Sequence, residues 1–222
     1  MTFAVLFVGL ACIVLVSANW EEVPRAVRMV GLIALTVSAN WMGIRAFSQE
    51  RNDAGVRWFF LGAMLYGTSI MLIAQIYHLG EHFPDGIYWW VVGVLPLALL
   101  TRSIVLMLLV QLLSTVWFFT EIDFEVMPWS FLVFVGLALY FAHSLRTSVL
   151  VFLAAVIGGN MWLAGLAMWW MGRAKGGLES GFENSVLVMA CGIASVMIGT
   201  WMEKGAERET PKIYGGVLRL WG

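Results

Sequence analysis

Charged side chains are scarce in this chain of 222 residues, at 12% of the total; a soluble domain usually carries about 25%. That deficit excludes an ordinary soluble domain, which needs a charged surface. The charge that exists is balanced, 13 Lys and Arg against 14 Asp and Glu, and this excludes a strongly basic nucleic-acid binder. Cysteine is nearly missing. Cys12 and Cys191 each sit within an apolar run, without the clustering that a disulfide framework or a zinc site requires. Catalytic signatures are missing too: there is no glycine loop ending in Gly-Lys-Ser/Thr, no His-Glu-x-x-His and no Gly-x-Ser-x-Gly. No reaction can be read from the chain, and no cofactor is implied.

What is present is hydrophobicity, 61% of all residues, arranged in long runs separated by short charged gaps. A spanning helix needs about 20 mostly apolar residues. About eight such segments are expected, over residues 1–18, 28–47, 57–77, 87–101, 103–120, 126–143, 147–171 and 184–201. The fold class is therefore all-α, a polytopic transmembrane helical bundle. The fourth segment is short and holds Pro96, and only Thr101-Arg102-Ser103 separates it from the fifth. One helix over 87–119 would run to roughly 50 Å at about 1.5 Å per residue, far beyond a hydrocarbon core of about 30 Å. A break at Arg102 and a tight helical hairpin follow.

The cations test this count. With alternate loops assigned to opposite sides, Arg45, Arg51, Arg57, Arg102, Arg146, Lys204, Arg208, Lys212 and Arg219 share the side of the N-terminus. Only Arg25, Arg28, Arg173 and Lys175 lie opposite. The positive-inside rule then puts both termini in the cytoplasm. Residues 1–202 form the expected membrane domain. Residues 203–222 are expected as a charged cytoplasmic tail, or as the start of a further segment. Val16-Ser17-Ala18 resembles a small-residue cleavage site, but Met1-Thr2-Phe3 supplies no positive n-region, so a retained first helix is expected.

Tryptophan is abundant, 12 residues. Trp20, Trp41, Trp58, Trp89, Trp90, Trp117, Trp129, Trp169, Trp170 and Trp201 lie at or near run ends, where amphipathic rings sit at headgroup level. Val16-Ser17-Ala18-Asn19-Trp20 recurs as Val37-Ser38-Ala39-Asn40-Trp41. Both copies are read as closing an apolar run, with the amide and indole serving a helix end.

Polar groups at membrane depth are costly and are the first candidates for function. Thr68, Gln75 and His78 share one helix face by their spacing. One reading is a proton- or cation-handling site, with His78, His82, Glu81 and Asp85 as carriers or ligands, because imidazole titrates near neutrality and binds metals. The plainer reading is that Gln75 bonds a neighbouring helix, a contact worth about 0.6 kcal/mol on average. Asn160, beside Gly158 and Gly159, needs a partner that those glycines would let approach. Arg102 either snorkels to the interface or pairs within the bundle. Four-residue spacings of small residues (Ala63 and Gly67, Ala154 and Gly158, Ala155 and Gly159, and Cys191, Ser195 and Gly199) mark helix-packing faces. Every Asp and Glu is expected in a loop, including Glu121, Asp123 and Glu125, which weakens the case for a proton-driven pump.

The run Leu72-Ile73-Ala74-Gln75-Ile76-Tyr77-His78, an acidic loop with Asp85, Trp89-Trp90, and Gly93-Val94-Leu95-Pro96-Leu97-Ala98 through Arg102-Ser103 resembles the bacterial membrane proteins grouped as domain of unknown function 2157. Asn19-Trp20-Glu21 followed by Pro24 and Arg28 fits that family's entry into its second helix. The resemblance covers about residues 10–110. It implies a multi-pass protein of the bacterial inner membrane and assigns no activity and no catalytic residue. The expectation is a non-catalytic membrane scaffold or partner subunit, in contact with lipid and with a second copy or another membrane protein. The alternative is a small-solute or ion transporter-like subunit with a path lined by Gln75, His78 and Asn160.

Overall fold

A chain that crosses hydrocarbon must satisfy its backbone hydrogen bonds within itself, and helices do this segment by segment. The structure, a computed structural model, describes residues 24–77, 83–145 and 148–173, with isolated positions at 189, 192 and 193. All regular structure among these residues is helical: α1 (Arg25–Ser48), α2 (Asn52–Tyr77), α3 (Phe83–Thr101), α4 (Ile104–Asp123), α5 (Phe131–Tyr140), a π-helical turn (Phe141–Leu145) and α6 (Val149–Arg173). Five of the helices are long and apolar enough to cross a membrane, and Phe131–Leu145 is a shorter apolar one. The expected spans 1–18 and 184–201 and the tail lie outside the described residues, apart from the three isolated positions.

The chain divides into two compact units, at residues 1–80 and 81–222. In the first, α1 and α2 form an antiparallel hairpin. Its register is set by small residues that let the helices approach closely. A methyl group at Gly43 would lie 2.8 Å from the Phe59 ring, and one at Gly62 would lie 2.6 Å from the Asn40 amide nitrogen. Ala39 and Ala63 are buried between them, and the Phe47 and Phe59 rings meet at 5.6 Å. Asn40 and Trp41 therefore do not close a helix. They lie inside α1, where Asn40 faces the hairpin seam and Trp41 is 64% exposed. Hydropathy marks where a run ends, but not which side of a continuous helix an amide occupies.

In the second unit α4 is central, packing against α3, α5 and α6. Leu106, Met107 and Val110 of α4 are fully buried, together with Val91, Val94 and Ala98 of α3 and Phe131 of α5. The break expected at Arg102 is present. α3 ends at Thr101, and Ser103 opens α4 by accepting a hydrogen bond from the Leu106 amide, a serine N-cap. α5 begins later than the expected 126, at Phe131, because Pro128 lacks an N–H and disfavours helix in the residue before it.

Three joints carry a non-glycine residue at positive φ: Glu50 (60°), Arg102 (50°) and Glu125 (59°). At Glu50 the Arg51 amide bonds the Ala46 carbonyl and the Glu50 amide bonds the Phe47 carbonyl. Val126 to Glu121 and Glu125 to Ile122 repeat the pattern. These are Schellman closures, in which a left-handed residue, ordinarily glycine, ties off the last carbonyls of a helix. A charged side chain suits a joint that meets the headgroup layer, at the steric cost of a Cβ in that conformation. Glu50→Gly is accordingly expected to stabilise the protein by up to about 1 kcal/mol. Glu50→Val should destabilise it, and thermal unfolding in detergent reads both.

Candidate functional site: the polar groups at membrane depth

Thr68 lies on α2 with its hydroxyl donating to the Met64 carbonyl at 2.9 Å, and the residue is exposed. Its neighbour Ser69 faces the hairpin seam instead. Ser69 donates to the Leu65 carbonyl at 2.7 Å and meets the Thr36 hydroxyl at 3.2 Å. Thr36 in turn bonds the Leu32 carbonyl at 2.9 Å, and the Asn40 amide donates to the Thr36 carbonyl at 2.8 Å. Thr36, Asn40 and Ser69 thus form a small polar seam in the first unit. Beside it opens an apolar groove of about 490 Å³, lined in part by Ile33, Tyr66, Ile70 and Ile73.

Gln75 belongs to the last turn of α2, while its side chain, His78, Glu81 and His82 lie outside the described residues. Asp85 occupies the exposed first turn of α3, where a carboxylate suits the positive end of the helix. Asn160, in α6, donates its amide to the Val156 carbonyl at 3.0 Å. The partner that sequence assigned to an approaching backbone is thus found one turn back on the same helix. Gly158 and Gly159 pack instead against Phe131 and Val135 of α5. Arg102 forms the α3–α4 joint. Thr68 and Gln75 belong to the first unit, and Arg102 and Asn160 to the second. Among the described residues no group of three or more His, Cys, Asp and Glu side chains could hold a metal ion.

Glu121, Gln111 and Ser114 of α4 are buried polar residues that the sequence pattern does not mark as inward-facing. Glu121 is 6% exposed and lies in the last turn of the helix, so the expectation that every carboxylate falls in a loop is overturned. The sequence pattern groups it with Asp123 and Glu125 in one acidic gap. The helix carries on to Asp123 and turns Glu121 inward, where the Trp117 indole donates to its Oε1 at 2.9 Å. Trp117 is buried as well. It packs against Tyr88 at 5.1 Å and Phe134 at 6.0 Å, and so belongs to the core rather than to a headgroup belt. Gln111 is buried among α4, α5 and α6. It has the same kind of signal that drew attention to Gln75, a lone amide at mid-span with hydroxyl residues Ser114 and Thr115 three and four positions on.

Two further tryptophans act on the turn between α4 and α5. The buried Trp162 indole donates to the Pro128 carbonyl, and the Trp169 indole to the Glu125 carbonyl, both at 3.2 Å. Trp129 stands between them, 5.6 Å from Trp162 and 6.4 Å from Trp169. Indole N–H groups of α6 thereby tie down carbonyls of the turn, at Pro128 beside the bond that its carbonyl also accepts from the Phe131 amide.

Residues 1–107 match the model of a family described as predicted membrane protein (DUF2157), so the resemblance read around Gln75-Ile76-Tyr77-His78 is shown for that part of the chain. With its apolar helices, the chain is a membrane protein of unknown function. No curated protein and no solved structure matches it.

The Trp117–Glu121 pair yields a stability test. Trp117→Phe keeps an aromatic ring in the Tyr88 and Phe134 cluster but removes the donor to a buried carboxylate, which should cost about 1–3 kcal/mol. Phe119→Tyr, at an exposed position of the same helix, is the control and should leave stability nearly unchanged. Denaturant unfolding in detergent measures both.

Proposed function

We propose that this chain, matched over its first 107 residues by a family of predicted membrane proteins, is a non-catalytic scaffold or partner subunit of the bacterial inner membrane. In this reading it has about eight spans, both termini in the cytoplasm, and residues 203–222 as a cytoplasmic tail. The observation that carries it is how the polar side chains of the spans are used. Thr36, Asn40, Thr68, Ser69, Thr101, Thr120 and Asn160 all donate to helix carbonyls of their own segments. A side chain closed on its own helix tunes packing and local bending. It does not offer its donor to a passing solute. The transporter-like alternative needs Asn160 on a polar path, and one of its two amide N–H donors is already engaged with the Val156 carbonyl.

Reconstitution separates the two. In proteoliposomes carrying a pH-sensitive dye, the scaffold reading expects proton and potassium flux equal to that of protein-free vesicles. It also expects no change on Asn160→Leu or His78→Ala. Flux that requires the protein and falls on either substitution would establish the transporter instead. Reporter fusions at Asp85 and after Trp201 test the topology: Asp85 is expected outside and residue 202 inside, and a cytoplasmic Asp85 would overturn the arrangement.

A further inference from the structure

A glutamine amide carries two donors and an acceptor with two lone pairs, and in hydrocarbon each unmet group is costly. Gln111 is 8% exposed, and neither its Nε2 nor its Oε1 has a hydrogen-bond partner among the described residues. It sits about 10 Å along α4 from the start of the helix at Ile104, close to the middle of the span. Its side chain lines a cavity of about 10 Å³ between α4, α5 and α6, together with Ser114, Phe131, Ala154, Ala155 and Gly158.

Size and chemistry select the occupant. A cavity of roughly 10–15 Å³ by this measure holds one water, which needs about two to four polar partners. The Gln111 amide supplies a donor and an acceptor. Ser114 supplies a further acceptor position, because its hydroxyl proton is committed to the Gln111 carbonyl at 3.0 Å. The remaining wall is Thr115 of α4 and apolar residues of α5 and α6, and a volume of about 10 Å³ matches a single water. We propose that this cavity is a hydration site at the centre of the second unit, where a single bound water is held by the Gln111 amide and the Ser114 hydroxyl against the small-residue face of α6. Such a water bridges buried groups that the protein leaves unsatisfied. It would explain how an amide is kept at that depth without a protein partner. The inference is independent of the scaffold reading.

Selective labelling of glutamine side chains with ¹⁵N tests this in the intact protein in lipid nanodiscs. Gln49, Gln75 and Gln111 are the glutamines of the chain, so Gln111→Met assigns the resonance. If that variant does not fold, Gln49→Glu and Gln75→Glu assign it by elimination. The expected result is a cross-peak between the Gln111 side-chain N–H and water, with exchange into bulk at least 100-fold slower than at the exposed Gln49. Gly158→Ala places a methyl 3.4 Å from the Phe131 ring, an ordinary contact, and fills part of the cavity; it should abolish the cross-peak without unfolding the protein. Three results would overturn the proposal: a Gln111 N–H in contact with a protein side chain and no water, exchange as fast as at Gln49, or a water signal unchanged in folded Gly158→Ala.

Discussion

The constraint on which this architecture depends is that hydrocarbon offers no hydrogen bonds to a broken backbone. A single helix meets that constraint without help. Each place where the chain must turn does not, and the structure spends its least common features there. Glu50 and Glu125 take the left-handed conformation to tie off the last carbonyls of α1 and α4, and Arg102 takes it between α3 and α4. The Ser103 hydroxyl starts α4. The turn before α5 needs more, because Pro128 keeps the helix from resuming at once. There the indoles of Trp162 and Trp169 accept the task, donating to the Pro128 and Glu125 carbonyls.

Association of the helices follows from the same solvent. Lipid is as apolar as leucine, so close packing and interhelical hydrogen bonds replace the hydrophobic effect as the force between helices. The α1–α2 hairpin uses glycine against phenylalanine and glycine against asparagine, with the Thr36–Ser69 hydroxyl contact farther along the seam. The second unit uses aromatic rings instead. Tyr88 and Phe134 meet around Trp117, the partner of Glu121, and on the next residue of α4 Phe118 packs against Phe131 at 5.0 Å. Apart from Gln111, the polar side chains named above are engaged with helices, which is what the scaffold reading draws upon.

Where the chain turns was legible in the sequence, because charges collect where the backbone leaves the apolar layer. The length of the apolar stretch 87–119 and the charge at Arg102 together place the α3–α4 break, and its position agrees with the structure to within a residue. Which way a side chain faces was much less legible. Weak amphipathicity is inherent to helices that are apolar on all sides, so nothing in the pattern distinguished the inward Glu121 from the neighbouring Asp123, or the seam residue Ser69 from Thr68. Trp117 illustrates the same limit. An indole near a run end usually marks the headgroup layer, yet here a buried carboxylate one turn on draws it into the core. Gln111 was readable in principle, since its spacing to Ser114 and Thr115 repeats the logic applied to Gln75.

The central claim is that side chains of α6 close the backbone of the α4–α5 turn. Hydrogen exchange of the amides of Trp129, Phe131, Leu132 and Val133 in Trp162→Phe measures this most directly, because those amides hold the turn through bonds to Met127, Pro128, Trp129 and Ser130. Removing the indole donor to Pro128 should speed their exchange by about tenfold, the equivalent of roughly 1.4 kcal/mol, while the amides of α1 and α2 stay unchanged. Unaltered exchange at those amides of the turn in the folded variant would show that the turn is closed without α6 and would contradict the account.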